Sequence, residues 1–168
     1  MLRLFILRHA KSSWALPGVP DHDRPLNDRG KRNLPLIEKA LLDRQYHPKI
    51  VICSSSARTI ATKDGVQAAL DGATITIDSE LYHGSPDTYI QTLKATPERK
   101  SVMMIGHNPS CDELVRGLCA PTGDVMQNYL SRHFPTSGLA VIDFDADQWC
   151  NIKMRSGDLV DFLVPRDL

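Results

Sequence analysis

The chain has 168 residues, enough to bury a substantial core as one domain over 1–168, and its 20 basic and 20 acidic side chains cancel at pH 7. That balance argues against general attraction to nucleic acid or an anionic membrane surface, so any basic patch is local. No apolar run approaches the ~20 residues of a membrane span, and the stretch before Arg8 is too short for a signal h-region. The cysteines Cys53, Cys111, Cys119 and Cys150 lack zinc-site spacing and read as free thiols of a reducing compartment, so a cytoplasmic protein is expected.

Residues Leu2 to Leu7 are almost all apolar, the pattern of a strand buried on both faces of a parallel sheet, and the run ends in Arg8-His9. Pro17, Gly18, Pro20 and Pro25 then exclude a long helix, so Lys11 to Pro25 is predicted to be a loop over the mouth of a pocket. In it Ser12, Ser13, Lys11 and Trp14 are candidate contacts to a ligand, while Asp21, Asp23 and Arg24 read as a solvated or loop-bracing cluster. Asn27 is placed to cap a helix from Asp28 to about Arg44 with Leu34, Ile37 and Leu41 on one face, kinked near Leu34 by Pro35.

A strand from Lys49 to Cys53 follows. Ser54-Ser55-Ser56 then caps a helix from Ala57 to Leu70 that buries Ile60, Ala61, Ala68 and Ala69. Thr74 to Asp78 alternates as a short strand, and Pro86 opens a helix to about Ala95 with Tyr89, Ile90 and Leu93 inward. Ser101 to Ile105 is a strand and Cys111 to Cys119 a helix with Leu114, Val115 and Leu118 on the core side. A short helix near Val125 to Leu130 and strands at Gly138 to Phe144 and Trp149 to Met154 complete the chain, the first of these two apolar enough to be central. Strands alternating with helices, without repeats or linkers, predict a three-layer α/β/α sandwich with a mostly parallel central sheet.

Three of these apolar runs end in cationic or imidazole residues: Arg8-His9 after the first, Arg58 shortly after the second, and His107 after Gly106. Ligands of open α/β sheets bind where strands end, because loops and helix N-termini point into that crevice. Neighbouring strands would bring two guanidinium forks and two imidazoles together. That set suits a phosphoryl group, whose oxygens take bidentate bonds from arginine, and lacks the carboxylates of a magnesium site. Arg58 in a first helical turn opposes the helix dipole, a conflict that a bound dianion would relieve.

Leu7-Arg8-His9-Ala10-Lys11-Ser12, Ser55-Ser56-Ala57-Arg58-Thr59 and Gly106-His107-Asn108-Pro109 resemble the histidine phosphatase superfamily, also called the phosphoglycerate mutase-like family. Ala10 stands where the family motif usually has glycine, a departure shared by the small SixA-type phosphohistidine phosphatases. The resemblance implies a phosphoglycerate mutase-like fold, a phosphohistidine intermediate on His9, and stabilisation of the phosphoryl group by Arg8, Arg58 and His107. Ser12 and Asn108 are added as candidate phosphate donors. In mutase-like relatives an acid in the context of Glu80 serves as proton donor, and Glu80 is the candidate here; a surface carboxylate is the other reading of it. No cofactor and no metal is implied.

The expected substrate is a phosphorylated protein, with phosphohistidine foremost, or a small phosphate monoester. A phosphate-binding module without turnover is the alternative from another class. Cys53 offers a rival nucleophile, but only four residues separate it from Arg58, one fewer than the phosphate loop of cysteine phosphatases that it resembles, and the loop lacks glycines. The sequence leaves the oligomeric state open.

Overall fold

In the computed structural model, which describes residues 1–97 and 99–168, six strands form one mixed sheet. The strands are β1 (Leu2–Arg8), β2 (Ile50–Ser54), β3 (Thr74–Asp78), β4 (Ser101–Gly106), β5 (Leu139–Phe144) and β6 (Gly157–Leu163). Their order is β3-β2-β4-β1-β5-β6; the first four run parallel, whereas β5 is antiparallel to both β1 and β6. The helices are α1 (Asp28–Asp43), α2 (Ala57–Asp64), α3 (Pro86–Lys94), α4 (Ser110–Leu118) and α5 (Asp124–Leu130).

The near-continuous apolar sequence of β1 serves two cores at once, because successive side chains of a strand point to opposite faces. Leu2, Leu4 and Ile6 join Leu93, Leu114, Leu118 and Met126 from α3, α4 and α5. Phe5 and Leu7 join Leu34, Ile37 and Leu41 of α1. The sheet is therefore the middle layer of the expected sandwich.

Local differences from the expected elements have physical causes. α1 runs unbroken through Pro35, which lies on its exposed side, where water can take the carbonyl that the proline leaves without an amide donor. α2 stops at Asp64 and gives way to a 3-10 turn over Gln67–Leu70. At the break, a Cβ on Gly65 would come within 2.4 Å of the Leu34 side chain, so the two helices touch where one of them ends. α2 buries Arg58, Thr59 and Thr62 and leaves the expected Ile60 and Ala61 half-buried, because its inner face is turned to polar groups at the sheet edge. In the turn that follows, Ala69 is buried as expected and Ala68 is exposed.

Trp149 to Met154 is not a strand: Trp149–Asn151 is a 3-10 turn whose buried indole donates from Nε1 to the Arg99 carbonyl at 2.8 Å. The apolar signal there belongs to a side chain plugging the core. The sheet ends instead with β6, which carries Asp158 and Asp161 among its apolar residues. It leaves β5 flanked on both sides, an internal strand as its composition indicates.

Gly30 lies in the first turn of α1 against the backbone of Lys11, where a Cβ would meet the Lys11 carbonyl oxygen at 2.3 Å. Alanine ordinarily strengthens a helix by ~1 kcal/mol over glycine. Here Gly30→Ala is expected to destabilise the fold by ~1–3 kcal/mol through backbone displacement, measured by urea unfolding; a rise in stability would contradict the close approach.

Candidate active site

β2, β4 and β1 are parallel neighbours, so their carboxyl ends open on the same edge. Arg8 pairs with Gly106 and Cys53 with Ile105, which brings the residues after each strand to one level. The ladder continues one step beyond β1, since the His9 amide donates to the Gly106 carbonyl at 3.0 Å. The imidazoles of His9 and His107 then lie with ring centroids 5.2 Å apart. Arg58 enters from the first turn of α2, buried at 6% exposure, and Thr62 one turn later fixes it relative to β1. The Thr62 hydroxyl donates to the Arg58 carbonyl at 2.6 Å and accepts the Ala10 amide at 2.9 Å.

His9 Nδ1 lies 2.8 Å from the Ala10 carbonyl. A carbonyl only accepts, so Nδ1 carries the proton and Nε2 keeps its lone pair. Nε2 has no hydrogen-bond partner among the described residues. Burial, reinforced by Arg58, Arg8 and Arg24, lowers the His9 pKa to about 4. Desolvation outweighs the neighbouring arginines as the cause. His107 is lowered to about 3, by burial first and then by His9 and Arg58. Its Nε2 lies 2.7 Å from the Ser54 hydroxyl, and its amide donates at 3.2 Å to the Tyr89 hydroxyl, which donates at 3.1 Å to the Leu81 carbonyl.

The guanidinium groups are held but not saturated. Arg8 Nη1 donates to the Phe134 carbonyl at 2.7 Å, while Arg58 donates from Nη1 to the Asp21 carbonyl at 2.7 Å and from Nη2 to its carboxylate at 3.1 Å. Arg8 Nε and Arg58 Nε are buried without an acceptor among the described residues. An unpaired buried donor costs ~1–3 kcal/mol, which an anion accepting from both would recover. The opposition between Arg58 and its helix dipole is already relieved in part by the protein's own Asp21.

Sequence reasoning missed that second role of Asp21, though it grouped the residue correctly with Arg24 as a loop brace. Arg24, at 8% exposure, donates to the Asp21 carboxylate at 3.0 Å and to Ser12 Oγ at 2.9 Å, and lies 3.5 Å from the Trp14 ring centre. Ser13 donates to Pro25 and Asn27 to Lys11 across the base of the loop, which forms a pinned flap. Tyr82 was also missed: its hydroxyl donates to Asp21, its ring stands edge-on to His107 at 5.5 Å, and Arg58 lies 5.8 Å from the ring centre. The Tyr82 bond, then Arg58 and Arg24, hold the Asp21 carboxyl well below the usual carboxylate range. No periodicity or spacing marks Tyr82; only its neighbours in space give it a role.

The remaining candidates are placed as follows. Ser12 is buried under Arg24, and its Oγ accepts from that guanidinium. Asn108 donates from Nδ2 to the Phe134 carbonyl at 3.1 Å, beside Arg8 on the same acceptor. Glu80 is exposed, and among the described residues its carboxylate makes no hydrogen bond or ion pair; it lies two positions before Tyr82 on the turn Ser79–Leu81. Lys11 and Trp14 are exposed at the flap. Cys53 is fully buried, and its thiol is pushed up to about 12 by desolvation, so it offers no thiolate near neutral pH.

Comparison with known proteins settles the lineage. Residues 4–83 match the model of the histidine phosphatase superfamily (branch 1). A solved structure from Agrobacterium tumefaciens, assigned as the phosphohistidine phosphatase SixA, is 35% identical with a TM-score of 0.83 over 98% of both chains. The chain belongs to the histidine phosphatase superfamily. Within the superfamily it is of the SixA type. A protein of Mycobacterium leprae is 33% identical over 95% of this chain and 100% of its own. The protein histidine phosphatase SixA complexed with tungstate shares the fold, with a TM-score of 0.79 at 22% identity over 99% of both chains. No helix among the described residues of this histidine phosphatase is long and apolar enough to cross a membrane.

Both histidines have folded-state pKa values below the unfolded value of about 6.5. The unfolded chain therefore binds more protons as pH falls, and their contribution to stability, complete above pH 6.5, is lost progressively toward pH 3. NMR titration should find both rings neutral at pH 5.5, with the proton of His9 on Nδ1; a charged His9 ring there would contradict the buried site.

Proposed function

We propose that this histidine phosphatase is a metal-independent hydrolase of phosphohistidine in proteins, working through a phosphohistidine intermediate on His9. The observation that carries the reading is the state of His9: a neutral imidazole with Nδ1 tied to a carbonyl and Nε2 unpartnered, flanked by the fields of Arg8 and Arg58. Such an imidazole is a competent nucleophile. Its Nε2 attacks phosphorus in line, forming the new P–N bond as the bond to the leaving group breaks, and the leaving group departs with a proton. Water, activated by Glu80, then attacks the phosphorus of phospho-His9, and its proton passes to the Glu80 carboxylate. The new P–O bond forms as the P–N bond breaks, and the electron pair returns to Nε2, releasing phosphate and restoring neutral His9.

Arg8, Arg58 and His107 stabilise the phosphoryl oxygens as charge spreads over them. Asn108 adds the second proton of Nδ2, and Ser12 its hydroxyl proton, since the oxygen already accepts from Arg24. Glu80 serves as proton donor where the leaving group is an alcohol. A phosphoramidate nitrogen, more readily protonated, needs that help less. Family and site support a phosphatase, and the SixA likeness favours a phosphorylated protein as substrate. The chain acts as one domain, because strands from Leu2 to Leu163 share a single sheet. Four free cysteines, three of them buried, suit the reducing cytoplasm.

With p-nitrophenyl phosphate in EDTA, turnover is expected to persist and to fall by at least ~10³-fold in His9→Ala. Rapid quench should trap an acid-labile phosphoryl label on His9; a label elsewhere, or undiminished turnover by the variant, would overturn the assignment. Glu80→Gln is expected to slow ester hydrolysis by ~10²-fold and phosphohistidine hydrolysis by less than ~5-fold. Equal losses on both substrates would remove Glu80 as the donor.

A further inference from the structure

A second concave surface adjoins the site, and its residues have no part in the chemistry above. A cleft of about 560 Å³ opens between the start of α1, the loop Ser131–Thr136 and the chain terminus near Arg166. Arg29, Arg132, His133 and Arg166 line it, and no carboxylate does so among the described residues. In a chain of zero formal charge this is a local concentration of cations.

Both walls are fastened to the residues around His9. Ser137, at the end of the loop, donates its amide to the Arg8 and His9 carbonyls at 3.2 Å, and the Phe134 carbonyl accepts from Arg8. The other wall carries Arg29 and Asn33 of α1, and Gly30 beside Arg29 packs against the backbone of Lys11, two residues beyond His9. A chain whose modified side chain enters the pocket therefore has the cleft beside it.

Arg29 is the informative residue. It is exposed in the first turn of α1, where a cation opposes the helix dipole, and it has no hydrogen-bond or ion-pair partner among the described residues. Helix stability gives no reason for a cation there. Arg132 and Arg166 share Asp167, at 2.7 and 3.6 Å, so the cleft keeps a net positive charge.

We infer that this cleft docks an acidic segment of polypeptide flanking the phosphorylated residue, and so selects substrates by charge outside the reacting centre. The inference rests on the phosphohistidine reading for its substrate but not for its binding. Carboxylates spaced along an extended peptide match cations distributed on two walls, and such pairs steer encounter and fix register.

Binding is read first, by fluorescence anisotropy of unphosphorylated peptides rich in glutamate or in lysine, with a DNA oligonucleotide of matched charge as a third probe. The glutamate peptide should bind at least ~5-fold more tightly than the other two, and Arg29→Glu and Arg132→Glu should each erase the preference. On phosphohistidine peptides with the same flanks, each reversal should cut kcat/KM ~5–10-fold for the acidic peptide, leaving p-nitrophenyl phosphate unaffected. Arg29→Glu tests the cleft even if Arg132→Glu fails to fold, since a carboxylate favours a helix start. Equal binding of the peptides, tighter binding of DNA, or reversals without effect would overturn the inference. Acid-selective binding by a protein that turns over no phosphohistidine would support the cleft and refute the catalytic reading instead.

Discussion

The hydrogen bond from the His9 amide to the Gly106 carbonyl carries the parallel pairing of β1 and β4 one residue past the last strand position. It fixes the height at which His9 leaves the sheet against that at which His107 follows Gly106. Side-chain bonds alone could not hold two imidazoles of separate strands so closely, because each would keep its rotamer freedom. The backbone ladder sets the spacing, and Ala10, Ser54, Thr62 and Tyr89 set the orientation. Gly106 is constrained by the same arrangement: a Cβ there would fall 2.2 Å from the Tyr89 hydroxyl that receives the His107 amide.

Much of this was legible in the residue order. The apolar runs of β1, β2 and β4 mark buried parallel strands because both faces of each strand must be covered, and a polar or charged residue at each end marks the sheet edge. Arg8, His9, Arg58 and His107 could be read as one group on that ground. The partners that tune them could not. Asp21 and Tyr82 act through contacts between segments far apart in the chain, and neither sits in a local pattern that announces it. The end of the sheet was misread for a related reason. Trp149 and Ile152 carry apolar weight as core plugs, while the acids of β6 weaken the alternation that would have marked the strand.

α2 illustrates how fold and site divide a helix between them. Its caps follow rule, with Ser56 accepting from the Thr59 amide, yet its inner face holds Arg58, Thr59 and Thr62 in place of aliphatic residues. Hydrogen bonds from Thr59 to the Ser54 carbonyl and from Thr62 to the Arg58 carbonyl do the work that hydrophobic burial does for α1. The helix contributes little apolar area and much orientation, a common concession where rigid donors are needed near a sheet edge.

The pairing of Asp21 with Arg58 also sets the charge of the whole cavity. With both imidazoles neutral, the guanidinium ions of Arg8, Arg24 and Arg58 are offset by a single carboxylate, leaving two positive charges. A terminal phosphoryl group brings two negative charges and balances them. The flap that carries Asp21 thus trims three guanidinium charges to the two that such a dianion would neutralise.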